Sequence, residues 1–170
     1  KIGHAYNLYQ ILHHELGEVD PDKMVYDRPE NEFKCCQLVE IYTEDYAYAL
    51  VRHFLFDHAD YLRYQALGNS SYKSLADISG KVKGEIKYHL MHGDTWLRKL
   101  AAGTEESKAR IQSALNETYP LALGIFEEGD HEQELIDQKI FIGEKALKEQ
   151  WLETVVPFLE SCELSVPKDA

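Results

Sequence analysis

A carboxylate and two imidazoles recur at helical spacing in the middle of the chain: Glu85, His89 and His92. Leu75, Ile78, Val82, Trp96 and Leu100 extend the series in steps of three and four, so on a helix all eight share one stripe with apolar ends. That stripe is expected to face a core. Burying an ionisable group without a partner costs several kcal/mol, so these three side chains must meet complementary groups from other helices, a metal, or water.

Two chemistries compete for them. Di-iron carboxylate bundles place one Glu on each of two helices and a Glu-x-x-His pair on each of the other two. Here the third position after Glu85 is Tyr88, and His89 comes one residue late, so the motif is missed. Glu85 and His89, one turn apart, still have the reach to share a metal, with Asp57 as a further ligand. The alternative is a polar layer in which Lys81, one turn before Glu85, sits between Glu85 and Asp57 and brings the positive charge itself. The residues favour the polar layer. His13, His14 and His58 are expected to be surface or satisfied interface histidines.

The elements that must position these residues are helices. Lys1 to Leu16 carries Ile2, Tyr6, Tyr9 and Leu12 or His13 on one face and His4, Leu8, Ile11 and Glu15 on a neighbouring line, with Gly17 as a stop. Glu18 to Glu32 holds Pro21 and Pro29 and predicts a connector with a helical turn or two over Asp22 to Asp27. Phe33 to Tyr42 fits a short strand or a helical turn; with no second strand to pair with, helix or irregular structure is expected. Thr43, Glu44 and Asp45 form a helix start, and the helix they open should run to Leu67 with Ala47, Leu50, Phe54, Asp57, Tyr61 and Tyr64 as its stripe. The central helix spans about Tyr72 to Ala102. Its internal Gly80, Gly84 and Gly93 predict close helix approach or bending. Thr104 with Glu105 and Glu106 starts another helix toward Phe126, with a kink expected at Pro120. Glu127 to Lys139 is a charged connector, and Gly143 to Glu163 is the last helix. Four or five long helices with short links imply an all-α bundle.

Composition closes off other classes. The 170 residues fit one domain, and a net charge of -12 argues against nucleic acid, which needs a basic face. No run approaches the roughly 20 apolar residues of a membrane span, and no signal peptide opens the chain, so a cytoplasmic location with no membrane contact is expected. Three cysteines, Cys35, Cys36 and Cys162, give neither a disulfide framework nor zinc spacing. Gly-rich phosphate loops and recognisable nucleophile motifs are lacking. The eleven tyrosines suit interface cores and favour a partner surface. Amphipathic patterning already under way at Lys1 suggests the interior of a longer polypeptide.

Three stretches carry a resemblance: FKCCQLVE, DYAYALVRHFLFDHADYLRYQAL, and GKVKGEIKYHLMHGDTWLRKLAAGTEES. In one collinear order they resemble the structural C subunits of phenylacetyl-CoA epoxidase, the multicomponent ring 1,2-epoxidase of phenylacetate degradation. The resemblance implies a ferritin-like antiparallel helical bundle, related to the catalytic A subunit but lacking its di-iron centre. The A subunit is then the expected partner, carrying the iron, the coenzyme A thioester and the oxygen chemistry, with electrons from a separate reductase. A homo-oligomer or heterodimer formed through helical faces is expected. Carried over by position, Asp57, Lys81, Glu85 and His89 fall at the remnant of the metal site. The enzyme alternative is a divergent di-iron oxygenase or oxidase using Glu85, His89 and Asp57.

Overall fold

The computed structural model describes residues 1–42 and 45–167. Three long helices form the frame: α4 (Tyr46–Leu67), α5 (Lys73–Ala101) and α6 (Glu105–Leu123). Short connections make each antiparallel to the next. Against this frame pack α1 (Ile2–Leu16), on α5 with the short α2 (Pro21–Tyr26), then α3 (Gln37–Glu40), on α6, and α8 (Glu144–Ser161), on α4, preceded by the short α7 (Glu132–Asp137). Among the described residues there is no strand, so the stretch from Phe33 to Tyr42 is irregular with a single helical turn. The charged connector after Phe126 contains one helix that its composition did not predict, α7.

Local chemistry explains the helix ends. Asp45 caps α4, its Oδ1 accepting from the Ala47 and Tyr48 amides at 2.6 and 3.2 Å. The expected hydroxyl cap, Thr43, lies outside the described residues. Thr104 caps α6 as expected, its hydroxyl oxygen accepting from the Ser107 amide at 3.1 Å. Gly17 closes α1 at φ 77°, a conformation that costs glycine nothing. Helix α6 continues through Pro120 for the rest of its last turn before a 3-10 turn over Gly124–Phe126.

The main core lies where α4 meets α6 and α8. Phe54, Leu55, Ile111, Leu115, Trp151 and Val155 are fully buried there. Trp151 stacks obliquely between Tyr119 and Phe126, and its indole N–H donates to the Leu55 carbonyl at 3.0 Å. A partly buried charge pair closes one end: the Arg63 guanidinium forks onto both oxygens of the buried Glu144 carboxylate, one at 2.8 Å, and also reaches the Ile125 carbonyl. Of the three glycines inside α5, only Gly93 marks a close approach, since a Cβ there would stand 3.6 Å from the Phe54 Cα. Gly80 and Gly84 have open space beside them.

The α5 stripe is displaced from its predicted line. The buried residues are Ser79, Val82, Ile86, Gly93, Leu97 and Ala101, whereas Glu85, His89, His92 and Trp96 are exposed. Both lines satisfy a three-and-four spacing and share Val82, but they diverge by one residue, or about 100° of rotation, beyond it. Burying Ile86 and Leu97 instead of Glu85 and Trp96 removes aliphatic surface from water and leaves the ionisable groups at the edge, where they need no buried partner.

Candidate functional site

The polar residues singled out by the sequence gather along the furrow between α4 and α5, and α1 crosses one end of it. Asp57 comes from the inner face of α4 and is held deep, with its side chain 6% exposed. Glu85, on the edge of α5, is 71% exposed. They do not meet through Lys81. That residue is exposed and, among the described residues, makes no ion pair. The positive charge comes from α1 instead: the Lys1 ammonium lies 3.5 Å from Asp57 and contacts Asp60 as well. The His4 imidazole, buried against the edge of the Tyr64 ring, places Nε2 2.9 Å from the Glu85 carboxylate. That hydrogen bond, reinforced by the imidazole's charge, holds the Glu85 carboxyl below the usual carboxylate range.

The polar layer therefore closes, but with partners other than the expected one. On α1 the line that faces the bundle is the one bearing His4 and Ile11, its two buried residues; a histidine sharing a line with Leu8 and Ile11 was the available signal. A second link of the same kind was not legible: His58 on α4 places Nε2 2.9 Å from Asp94 on α5. His58 is thus a satisfied interface histidine, as expected. His13 lies 2.8 Å from the Glu18 carbonyl and stays local.

His89 stands apart from these pairs. It faces the open half of the furrow, a cleft of about 500 Å³ lined by Tyr46, Leu50, His53, Tyr88, His92 and Gly93, with Asp57 at its inner end. Asp57 and His89 thus share a wall, whereas Glu85 is turned to His4. Among the described residues no three His, Cys, Asp or Glu side chains converge at ligand geometry. The Glu-x-x-His spacing absent at Glu85 does occur at Glu128 and His131, but both are exposed in the α6–α7 connection, with no facing helix to complete a site. A di-iron centre needs carboxylates free to ligate from several helices. Here Asp57 is paired with Lys1, and Glu85 is hydrogen-bonded to His4.

The family described as "Phenylacetic acid catabolic protein" matches residues 1–170. The chain belongs to that family. One relative, the C subunit of 1,2-phenylacetyl-CoA epoxidase from Escherichia coli (strain K12), is 27% identical over 168 residues, which is 99% of this chain and 68% of the relative. The helical architecture implied by the family resemblance is the one the structure has. Within this phenylacetic acid catabolic family member, one of the three stretches that carry the resemblance supplies a wall of the furrow through Tyr88, His89, His92 and Gly93.

Proposed function

We propose that this chain is a non-catalytic structural subunit of a multicomponent phenylacetyl-CoA mono-oxygenase acting in aerobic phenylacetate catabolism. Its partner would be the catalytic subunit, which carries the di-iron centre and handles the thioester and oxygen. One observation carries this reading: the carboxylates of Asp57 and Glu85 are taken up by Lys1 and His4 at the start of α1, so they join helices. Membership of the family and the relative's description as a subunit support it. The chain's own residues then contribute rigidity. Asp57, Glu85 and His4 fix α1 on the α4–α5 pair, and a subunit that holds shape can hold a partner's active site in shape.

The test is co-purification with the catalytic partner followed by iron analysis of each separated chain. The expected result is iron with the partner and none here, with Glu85→Ala weakening assembly and leaving the iron content of the partner unchanged. Stoichiometric iron in this chain would defeat the proposal in favour of a divergent di-iron oxygenase. No helix among the described residues is long and apolar enough to cross a membrane, and a cytoplasmic complex is the setting we propose.

A further inference from the structure

Helix α5 is charged against the trend of the chain. It carries six Lys and Arg and three carboxylates in a protein of net charge -12, so it stands at +3 while the remaining residues sum to -15. Its three carboxylates are all engaged: Asp77 by Lys73, Glu85 by His4 and Asp94 by His58. Lys81, Lys83 and Lys87 are not, and none of them makes an ion pair among the described residues. A chain with so many acids leaves three neighbouring ammonium groups without one.

The three lysines frame one line of the helix. Gly80, Gly84 and Met91 share a face turned away from the buried Val82, Ile86 and Leu97. Lys83 and Lys87 follow one flank of that line, and Lys81 and Tyr88 the other. Tyr88 and Met91 are 71% and 60% exposed, and a Cβ built at Gly80 or Gly84 would meet nothing within 4 Å. Glycine in a solvent-facing turn of a helix is destabilising relative to alanine, and no contact within this chain requires it there. Helix α5 packs on α4, α1 and α6 by its other faces. What remains is a shallow trough over two bare α-carbons, with a ring and a thioether at one end and ammonium groups along both rims.

We infer that this face of α5 docks an acidic helix of another protein subunit, which lies close over Gly80 and Gly84 and sets its carboxylates against Lys81, Lys83 and Lys87. Charge selects the occupant. Two copies of this chain set face to face would oppose their own lysines, which is unfavourable. A long polyanion such as nucleic acid is repelled by the acidic remainder of the molecule. The exposed ring and thioether are materials of protein interfaces, and absent side chains at the crossing let two helix axes approach closely. The inference rests on the reading of this chain as a subunit and extends it to a face and to the partner's chemistry.

The experiment is carbodiimide cross-linking of the purified assembly, because this reagent joins a lysine amine directly to a carboxylate in contact with it. Peptide mass spectrometry is expected to find Lys81, Lys83 or Lys87 joined to an Asp or Glu of another subunit, with a yield that falls as salt is raised. Lys73, 2.7 Å from Asp77, supplies the link within the chain that shows the reagent is working. Gly84→Leu adds a side chain where nothing else stands, so the free chain should melt no earlier than the parent, while affinity for the assembly falls by about tenfold or more. An intact assembly in which these lysines link only to this chain or to a second copy overturns the inference. So does an intact assembly in which they form no link and are acetylated as fast as in the free chain, or a Gly84→Leu chain that assembles as tightly as the parent. Purification with no other subunit overturns the subunit reading and this inference together.

Discussion

The face of α4 that meets α6 and α8 and the face that meets α1 are made of different materials. The first buries Phe54, Leu55, Ile111, Leu115, Trp151 and Val155 completely. Each such side chain contributes about 1.5–3 kcal/mol by leaving water. The second depends on Lys1 with Asp57 and Asp60, His4 with Glu85 and Glu15 with Tyr72, and only His4 and Ile11 of α1 are buried. Each of these pairs has at least one member open to solvent, where water and salt screen the attraction and ordering the side chains offsets much of it. A helix attached by directional polar contacts is positioned well and held weakly. One region of the bundle therefore carries the stability while the other carries adjustable alignment, and Asp57 and Glu85 belong to the second.

The sharpest way to test that division is to damage each side. Trp151→Ala removes the ring that joins α8 to Tyr119, Phe126 and the Leu55 carbonyl, and should cost about 3–5 kcal/mol in urea unfolding. Arg63→Met strands the buried Glu144 carboxylate at the edge of the same core. A loss of about 1–3 kcal/mol is expected, read from the same denaturation midpoint. His4→Leu keeps the apolar volume and deletes the link to Glu85. It should leave the global midpoint nearly unchanged while hydrogen exchange accelerates across residues 2–16, and a matching loss of global stability would erase the contrast between the two faces.

Acid should separate the regions as well. The Glu15 carboxyl is held low by hydrogen bonds from Ser74 and Tyr72, and Glu85 by His4. A carboxyl lowered in the folded state stabilises above its unfolded value, near pH 4.3, and loses that contribution as the pH falls through the lower folded value. Exchange in α1 should therefore rise below about pH 4 while amides of α6 and α8 stay protected. Simultaneous loosening of all three helices would contradict the ranking. The smallest effect belongs to Lys81→Ala, which should change stability by less than about 0.5 kcal/mol because the side chain is exposed and unpaired among the described residues.

Much of the frame was legible because it follows local rules. Thr104 and Gly17 mark helix ends by capping chemistry, and the long three-and-four patterns of α4 and α6 leave no competing secondary structure. The rotation of α5 was not legible, since Val82 belongs to two overlapping lines and only the packing of Ile86 and Leu97 against other helices decides between them. The site was half legible. Asp57 and Glu85 were recognisable as carboxylates needing partners, but the partners lie some 55 and 80 positions away in sequence, at Lys1 and His4. Lys81 was the nearest candidate along the chain, and proximity along a helix does not fix which way a side chain points once the buried line is set. Asp94 had no such signal, because nothing in its own surroundings announces His58.

Gly93 has a consequence for how the two longest helices are threaded past one another. A bare α-carbon sits against the Phe54 backbone, and its neighbours in the sequence are His92 and Asp94. Sliding α5 by a single residue would bring the larger side chain of His92 or Asp94 to that crossing, so the small residue favours the observed register of the two helices.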